Sequence, residues 1–91
     1  MTITFDPQKR AATLAGRGLD FADAGRVFEG DHATWIDDRF DYGEVRRITA
    51  GWLDGRMVVF VWTTRGTSRH VISMRYCHAK EERKIRRRFA L

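Results

Sequence analysis

A chain of 91 residues, 43% hydrophobic and 12% aromatic, reads as a single folded domain over residues 1–91; roughly 60–65% of the unfolded surface of such a chain can be buried, which allows one modest core and excludes a disordered chain. No apolar run approaches the roughly 20 residues a membrane-spanning helix needs, the first residues lack the basic-then-apolar pattern of a signal peptide, and the lone Cys77 excludes an internal disulfide and fits a reducing cytoplasm. A net charge of +5 and a pI of about 10.1 point to RNA, DNA or a strongly acidic protein as partner.

Ile3–Phe5 reads as a short strand. Asp6-Pro7 then supplies an N-cap and a proline at the first helical position. The helix runs from about Pro7 to Ala15, with Ala11, Leu14 and Ala15 toward the core, and Gly16-Arg-Gly18 ends it. Asp20 caps a second helix that carries Phe21, Ala24, Val27 and Phe28 at helical spacing. Strand patterns follow at Ala33–Ile36, at Val45–Leu53 and at the nearly all-apolar Met57–Trp62, which reads as a central strand covered on both faces. Asp54-Gly55 is a hairpin signal, and Arg65-Gly66 marks a second turn before an arginine-bearing strand at Arg69–Arg75. His78–Phe89 is a basic helix that only Ile85, Phe89 and Leu91 can dock. Helices and strands that do not alternate predict an α+β fold: a small antiparallel sheet of three or four strands with helices on one face.

The charge is segregated. Residues 1–45 carry a net of −4 and residues 46–91 a net of +9, and most of the basic residues are Arg. Arg suits bidentate phosphate contact and stacking on bases. On an ideal strand Arg69, Val71, Ser73 and Arg75 share one side, and His70, Ile72 and Met74 the other. Two arginines and a hydroxyl on one sheet face are poorly suited to a core and well suited to a phosphate.

His32, His70 and His78 have no metal-ligand spacing, and the chain has no phosphate-cradling glycine loop, no nucleophile elbow and no cofactor motif. Arg, His, Tyr and Glu remain. They suit RNA cleavage without a metal, in which the 2′-hydroxyl attacks the adjacent phosphorus. Arginines stabilise the developing charge, and a His moves the proton. Arg65, Arg69 and Arg75 are candidates for holding the scissile phosphate, with His70 or Tyr76 assisting proton transfer. Glu44 is placed to pair with Arg46 or Arg47, or to act in catalysis. Trp35, Trp52 and Trp62 read as core rather than as stacking platforms. Arg83, Arg86 and Arg87 on the last helix are candidate RNA or partner contacts.

Several segments taken together resemble a family. Phe5-Asp6-Pro7 with Lys9, Gly18–Ala24, Val27-Phe28, Asp37-Asp-Arg39, Asp41-Tyr-Gly-Glu44, Arg46, Trp62-Thr63, Arg65-Gly66 and Val71-Ile-Ser-Met-Arg75 look like the BrnT toxins of bacterial type II toxin–antitoxin systems. The resemblance implies a RelE/ParE-like α+β fold and a metal-independent ribonuclease that arrests growth. It also implies a BrnA-like antitoxin with a ribbon-helix-helix part, through which alone operator DNA is bound. Lys9 joins the RNA-binding candidates on this ground. The chain departs from the usual pattern at Thr13, Gly16-Arg17, His70, Tyr76 and His78. Those departures keep a rival reading open: a non-catalytic nucleic-acid-binding module or an inactive homologue.

Overall fold

Two hairpins build the sheet in the computed structural model, which describes all 91 residues. β3 (Arg47–Leu53) and β4 (Arg56–Arg65) are antiparallel and meet at Asp54-Gly55. Both turn residues have positive φ, 51° and 82°, as a two-residue hairpin turn matched to strand twist requires. β4 continues through Gly66 into β5 (Ser68–Tyr76). β2 (His32–Ile36) adds antiparallel to β3, and β1 (Thr2–Phe5) adds parallel to β5, giving the order β1-β5-β4-β3-β2. β4 is central, as its apolar run predicts, and Met57–Phe60 are all buried. The sheet is mixed and five-stranded, not antiparallel with three or four strands. β1 leads into a helix rather than a tight turn, so it has no hairpin partner, and its backbone groups are satisfied on the open edge of β5.

α1 (Pro7–Arg17) starts at Asp6, whose carboxylate accepts from the backbone of Gln8 and Lys9, and ends at Gly18 in the left-handed conformation. Contrary to the expected core contacts, Ala11, Leu14 and Ala15 are all exposed, and the helix buries no residue. Polar ties hold it instead. Arg10 grips Asp20 through Nε and Nη2 at 2.8 and 2.9 Å, and Arg17 Nη1 donates to the Met74 carbonyl at 2.8 Å. That carbonyl lies beyond Val71, where β1 stops pairing with β5, so α1 shields an otherwise bare strand edge. A 3₁₀ turn (Phe21–Asp23) leads into α2 (Ala24–Glu29). Leu19, Phe21, Ala24 and Val27 from this stretch pack on Leu53, Val58, Phe60, Trp62, Val71 and Met74 as the main core. Gly51 permits the approach of α2 to β3, since a Cβ there would lie 2.6 Å from Val27 Cγ1 and 3.1 Å from the Asp31 carbonyl.

α3 (Ala79–Phe89) docks through the three apolar residues predicted, but on the opposite face. The expectation of helices on one face fails because the central strand β4 is apolar on both sides, and Met57 and Val59 need a cover of their own. Ile85 packs on Ala50, Met57 and Val59, with Phe89 and Leu91 against the same cluster, and the Phe89 ring stacks on Trp35 at 5.1 Å. No helix is long and apolar enough to cross a membrane.

A bulge in β5 overturns the predicted side-chain alternation. Val61 pairs with Ser73 but Trp62 pairs with Val71, leaving Ile72 as the extra residue. Cross-strand partners share a face. Arg69, Val71, Met74 and Tyr76 therefore face α1 and α2, while His70, Ser73 and Arg75 face the side that carries α3. Arg69 does not share a face with Arg75, and His70 does not share one with Met74. A uniform period of two would turn either Val71 or Met74 out of the core; the extra residue keeps both buried.

Candidate active site

On its face of the sheet α3 packs on Ala50, Met57 and Val59, with Trp35, Ile48 and Trp52 against the same cluster, and the segment before β3 lies over Thr63, whose hydroxyl donates to the Val45 carbonyl at 2.8 Å. The rest of that face holds Arg65, His70, Ser73 and Arg75. Arg65 and Ser68 are partners, as are Thr63 and His70, Val61 and Ser73, and Val59 and Arg75. From the His70 rung to the Arg75 rung is about 13 Å along β4 at ordinary strand rise, enough for a ribose and its 3′-phosphate.

At one end, His70 is half-buried and its Nδ1 is hydrogen-bonded to Thr4 Oγ1 on β1 at 2.9 Å. Burial pushes the imidazole below its ordinary pKa, and the positive charge of Arg65 pushes the same way. Glu44 opposes this, and Lys9 and Asp6 act more weakly in opposite directions. Neutral imidazole is thus favoured. Glu44 binds Arg46 at 2.9 Å, which resolves the open pairing in favour of Arg46, and the Arg46 guanidinium lies 4.1 Å from the Tyr42 ring centroid. Arg65 is exposed and takes part in no ion pair.

At the other end, Arg39, Ser73 and Arg75 line a recess of about 90 Å³ floored by Ile48, Val59, Phe60 and Val61. Arg39 is held by the buried Asp37 through Nε and Nη2 at 2.7 and 2.8 Å, and Tyr42 donates its hydroxyl to the same carboxylate at 3.1 Å. The Arg39 hydrogen bond holds the Asp37 pKa down to about 2. Arg75 meets Glu81 of α3 with two bonds of 2.7 Å. The nearby Cys77 thiol is pushed up to about 12 by burial first and by Glu81 second, which disfavours the nucleophilic thiolate. No three His, Cys, Asp or Glu side chains converge anywhere in the chain in the way a metal site requires.

The other sequence candidates lie elsewhere. Arg69 stacks on Phe28, 3.7 Å from its ring centroid, with Trp62 at 5.3 Å, and its Nε is buried without a partner. Tyr76 lies on the helix-covered face under Arg56, whose guanidinium is 3.7 Å from its ring centroid. Lys9 lines a neighbouring groove of about 400 Å³ with Thr13, Arg17 and Ser73, so it shares Ser73 with the recess at Arg75. Arg83, Arg86 and Arg87 border a third surface of about 370 Å³ with Leu91. Arg39 and Glu81 escaped the sequence reading of the site. Arg39 stands in the Asp-Asp-Arg segment of the resemblance, which could have flagged it. Nothing in the pattern around Glu81 marks a contact with Arg75.

This sheet face sets Arg65 and Arg75 beside a half-buried histidine, and its positive charge suits a polyanionic partner. A family model described as the ribonuclease toxin, BrnT, of type II toxin–antitoxin systems matches residues 5–81. The chain belongs to that family of ribonuclease toxins, and a protein antitoxin and an RNA target come with it. No curated protein matches the chain.

Proposed function

We propose that this chain is a metal-independent endoribonuclease toxin that cleaves RNA by attack of the 2′-hydroxyl, with its site on the open face of β4 and β5. The observation that carries the reading is the joining of Arg65, His70, Ser73 and Arg75 on one uncovered face, in a chain of a ribonuclease family. In this mechanism Nδ1–H of His70 donates to Thr4, and Nε2 takes the proton of the 2′-hydroxyl. The low pKa that burial and Arg65 impose leaves this base unprotonated at neutral pH. The scissile phosphate lies over Ser73. Arg75, with Arg39 beside it, faces the non-bridging oxygens and stabilises the extra negative charge of the phosphorane. The phosphorane collapses to the 2′,3′-cyclic phosphate as the P–O5′ bond breaks, and the 5′-oxygen leaves with a proton taken from water on the exposed face, while the His70 imidazolium returns its proton to solvent. Arg65 holds the phosphate on the other side of the ribose. Arg69 falls outside this group because the bulge turns it to the opposite face.

The antitoxin in this reading is BrnA-like with a ribbon-helix-helix part, and it presents an acidic or mixed surface to α3 and the arginine strand. The +9 of residues 46–91 supports this. Two helical segments before the hairpins and one after them support a RelE/ParE-like arrangement. A single domain in the cytoplasm completes the reading.

Expression without the antitoxin should slow bacterial growth. The purified chain should cut RNA in EDTA and leave 2′,3′-cyclic phosphate ends. Cleavage that EDTA abolishes, or products with 3′-hydroxyl ends, would contradict the mechanism.

A further inference from the structure

We propose that Glu81 is a positioning residue for the cleavage step: its carboxylate holds the Arg75 guanidinium by one edge and leaves the other edge open to the scissile phosphate. The inference rests on the reading of the open face as the RNA-cleaving site.

A guanidinium has two edges that can grip an oxyanion with paired N–H groups, one formed by Nε and Nη2 and one by Nη1 and Nη2. Arg10 and Arg39 each use the Nε edge on an aspartate of the chain itself. Arg75 differs. Glu81 occupies its Nη1–Nη2 edge with two bonds of 2.7 Å, and Nη1 also donates to the Tyr76 carbonyl at 3.3 Å. Nε–H and the second N–H of Nη2 remain unused, and they form the edge that fits two non-bridging phosphate oxygens. Arg75 keeps 44% of its side chain exposed and lines the recess it shares with Arg39 and Ser73.

Glu81 is well placed for this task. It stands in the first turn of α3, which is pinned by buried Ile85 and by the stack of Phe89 on Trp35. A long flexible arginine is thereby fixed before RNA arrives, and orientation settled in advance is what accelerates a reaction between held groups. The same carboxylate repels RNA. A surface built only to attract phosphate would do better without it. Affinity and rate are therefore expected to move in opposite directions when Glu81 is changed, which a purely structural role would not produce.

The test uses the full chain freed of its antitoxin. Cleavage is measured in single-turnover at saturating RNA, and binding is measured with the matching oligonucleotide carrying a 2′-deoxy residue at the cut site. Glu81→Ala should lower the rate by about 10²-fold and tighten binding by about twofold to fivefold. Glu82→Ala removes the same charge one residue away, where it lies 3.9 Å from Arg86 and does not touch Arg75. It should tighten binding to a similar degree and leave the rate unchanged. Glu81→Gln keeps the shape and should slow cleavage by about tenfold, which carries the test if Glu81→Ala does not fold. Glu81 variants that cut at the wild-type rate, or a Glu82→Ala chain slowed as much, would overturn the inference. A wild-type chain that cuts no RNA would overturn the reading of the open face, and this inference with it.

Discussion

Arg69 and Arg75 lie on the same strand and meet opposite surroundings. Arg69 is turned inward, its guanidinium 3.7 Å from the Phe28 ring centroid and its Nε buried without a partner. Arg75 is turned outward on the uncovered face, with one edge in a carboxylate and one edge free. The bulge at Ile72 separates them. Basic charge alone therefore does not mark the site in this chain. What marks it is the face on which the charge stands and whether the guanidinium still has N–H groups to give.

The sharpest way to break this contrast is at His70, which the same bulge places on the open face. His70→Ala should slow RNA cleavage by about 10²- to 10⁴-fold, the usual worth of a positioned proton acceptor. In the wild type the rate should rise with pH through a midpoint below the ordinary imidazole value of 6.5 and then level off, because burial and Arg65 hold the imidazole below that value. A cleavage rate that continues to climb well above pH 7 would give the base to another group.

Further from the site, the α3 arginines test whether exposed charge acts at long range. Replacing Arg83, Arg86 and Arg87 with Ala should slow association with the antitoxin by about tenfold or more and flatten its salt dependence, with the complex still forming. Stopped-flow binding at two ionic strengths checks this. An unchanged on-rate would place the partner elsewhere.

Much of this architecture was legible in the sequence, and the failures have physical causes. The Asp-Gly turn, the central apolar strand, the first helix capped by Asp6 and the docking of α3 by Ile85, Phe89 and Leu91 follow local rules that the structure obeys. The side-chain faces of β5 do not. A bulge answers the demand of Phe60 and Trp62 on β4 for two apolar partners, Met74 and Val71, and that demand is tertiary. The exposure of Ala11, Leu14 and Ala15 was equally hidden, because α1 is tied by Arg10 and Arg17 to groups distant in sequence. Arg39 joins Arg75 only through a fold that brings the β2–β3 connection over β4.

On the covered side, Arg69→Ala should act on stability rather than on chemistry. Losing its stack on Phe28 and its apolar stem should cost about 1–2 kcal/mol, readable as a shift of the denaturation midpoint. Acid should act on both sides of the sheet. Asp20 and Asp37 are each held at a pKa of about 2, against an ordinary 3.8, first by the hydrogen bonds of Arg10 and Arg39. A folded-state value below the unfolded one means that the unfolded chain takes up protons first. The stability these carboxylates provide is therefore complete above roughly pH 5 and falls away between about pH 4 and 2. Asp37→Asn should cost about 1–2 kcal/mol at neutral pH and make the acid limb shallower. An unchanged acid limb would show that the Asp37–Arg39 tie contributes nothing.

The measurement that bears most directly on the open-face site compares Arg75→Ala and Arg69→Ala in one single-turnover assay on a defined RNA in EDTA. Arg75→Ala should cleave about 10²- to 10³-fold more slowly while losing no more than about 1 kcal/mol of stability. Arg69→Ala, assayed where it is folded, should cleave within about threefold of wild type, since a guanidinium on the covered face does not reach the phosphate. Equal losses in both variants, or a larger loss at Arg69, would contradict the assignment of the site to the open face.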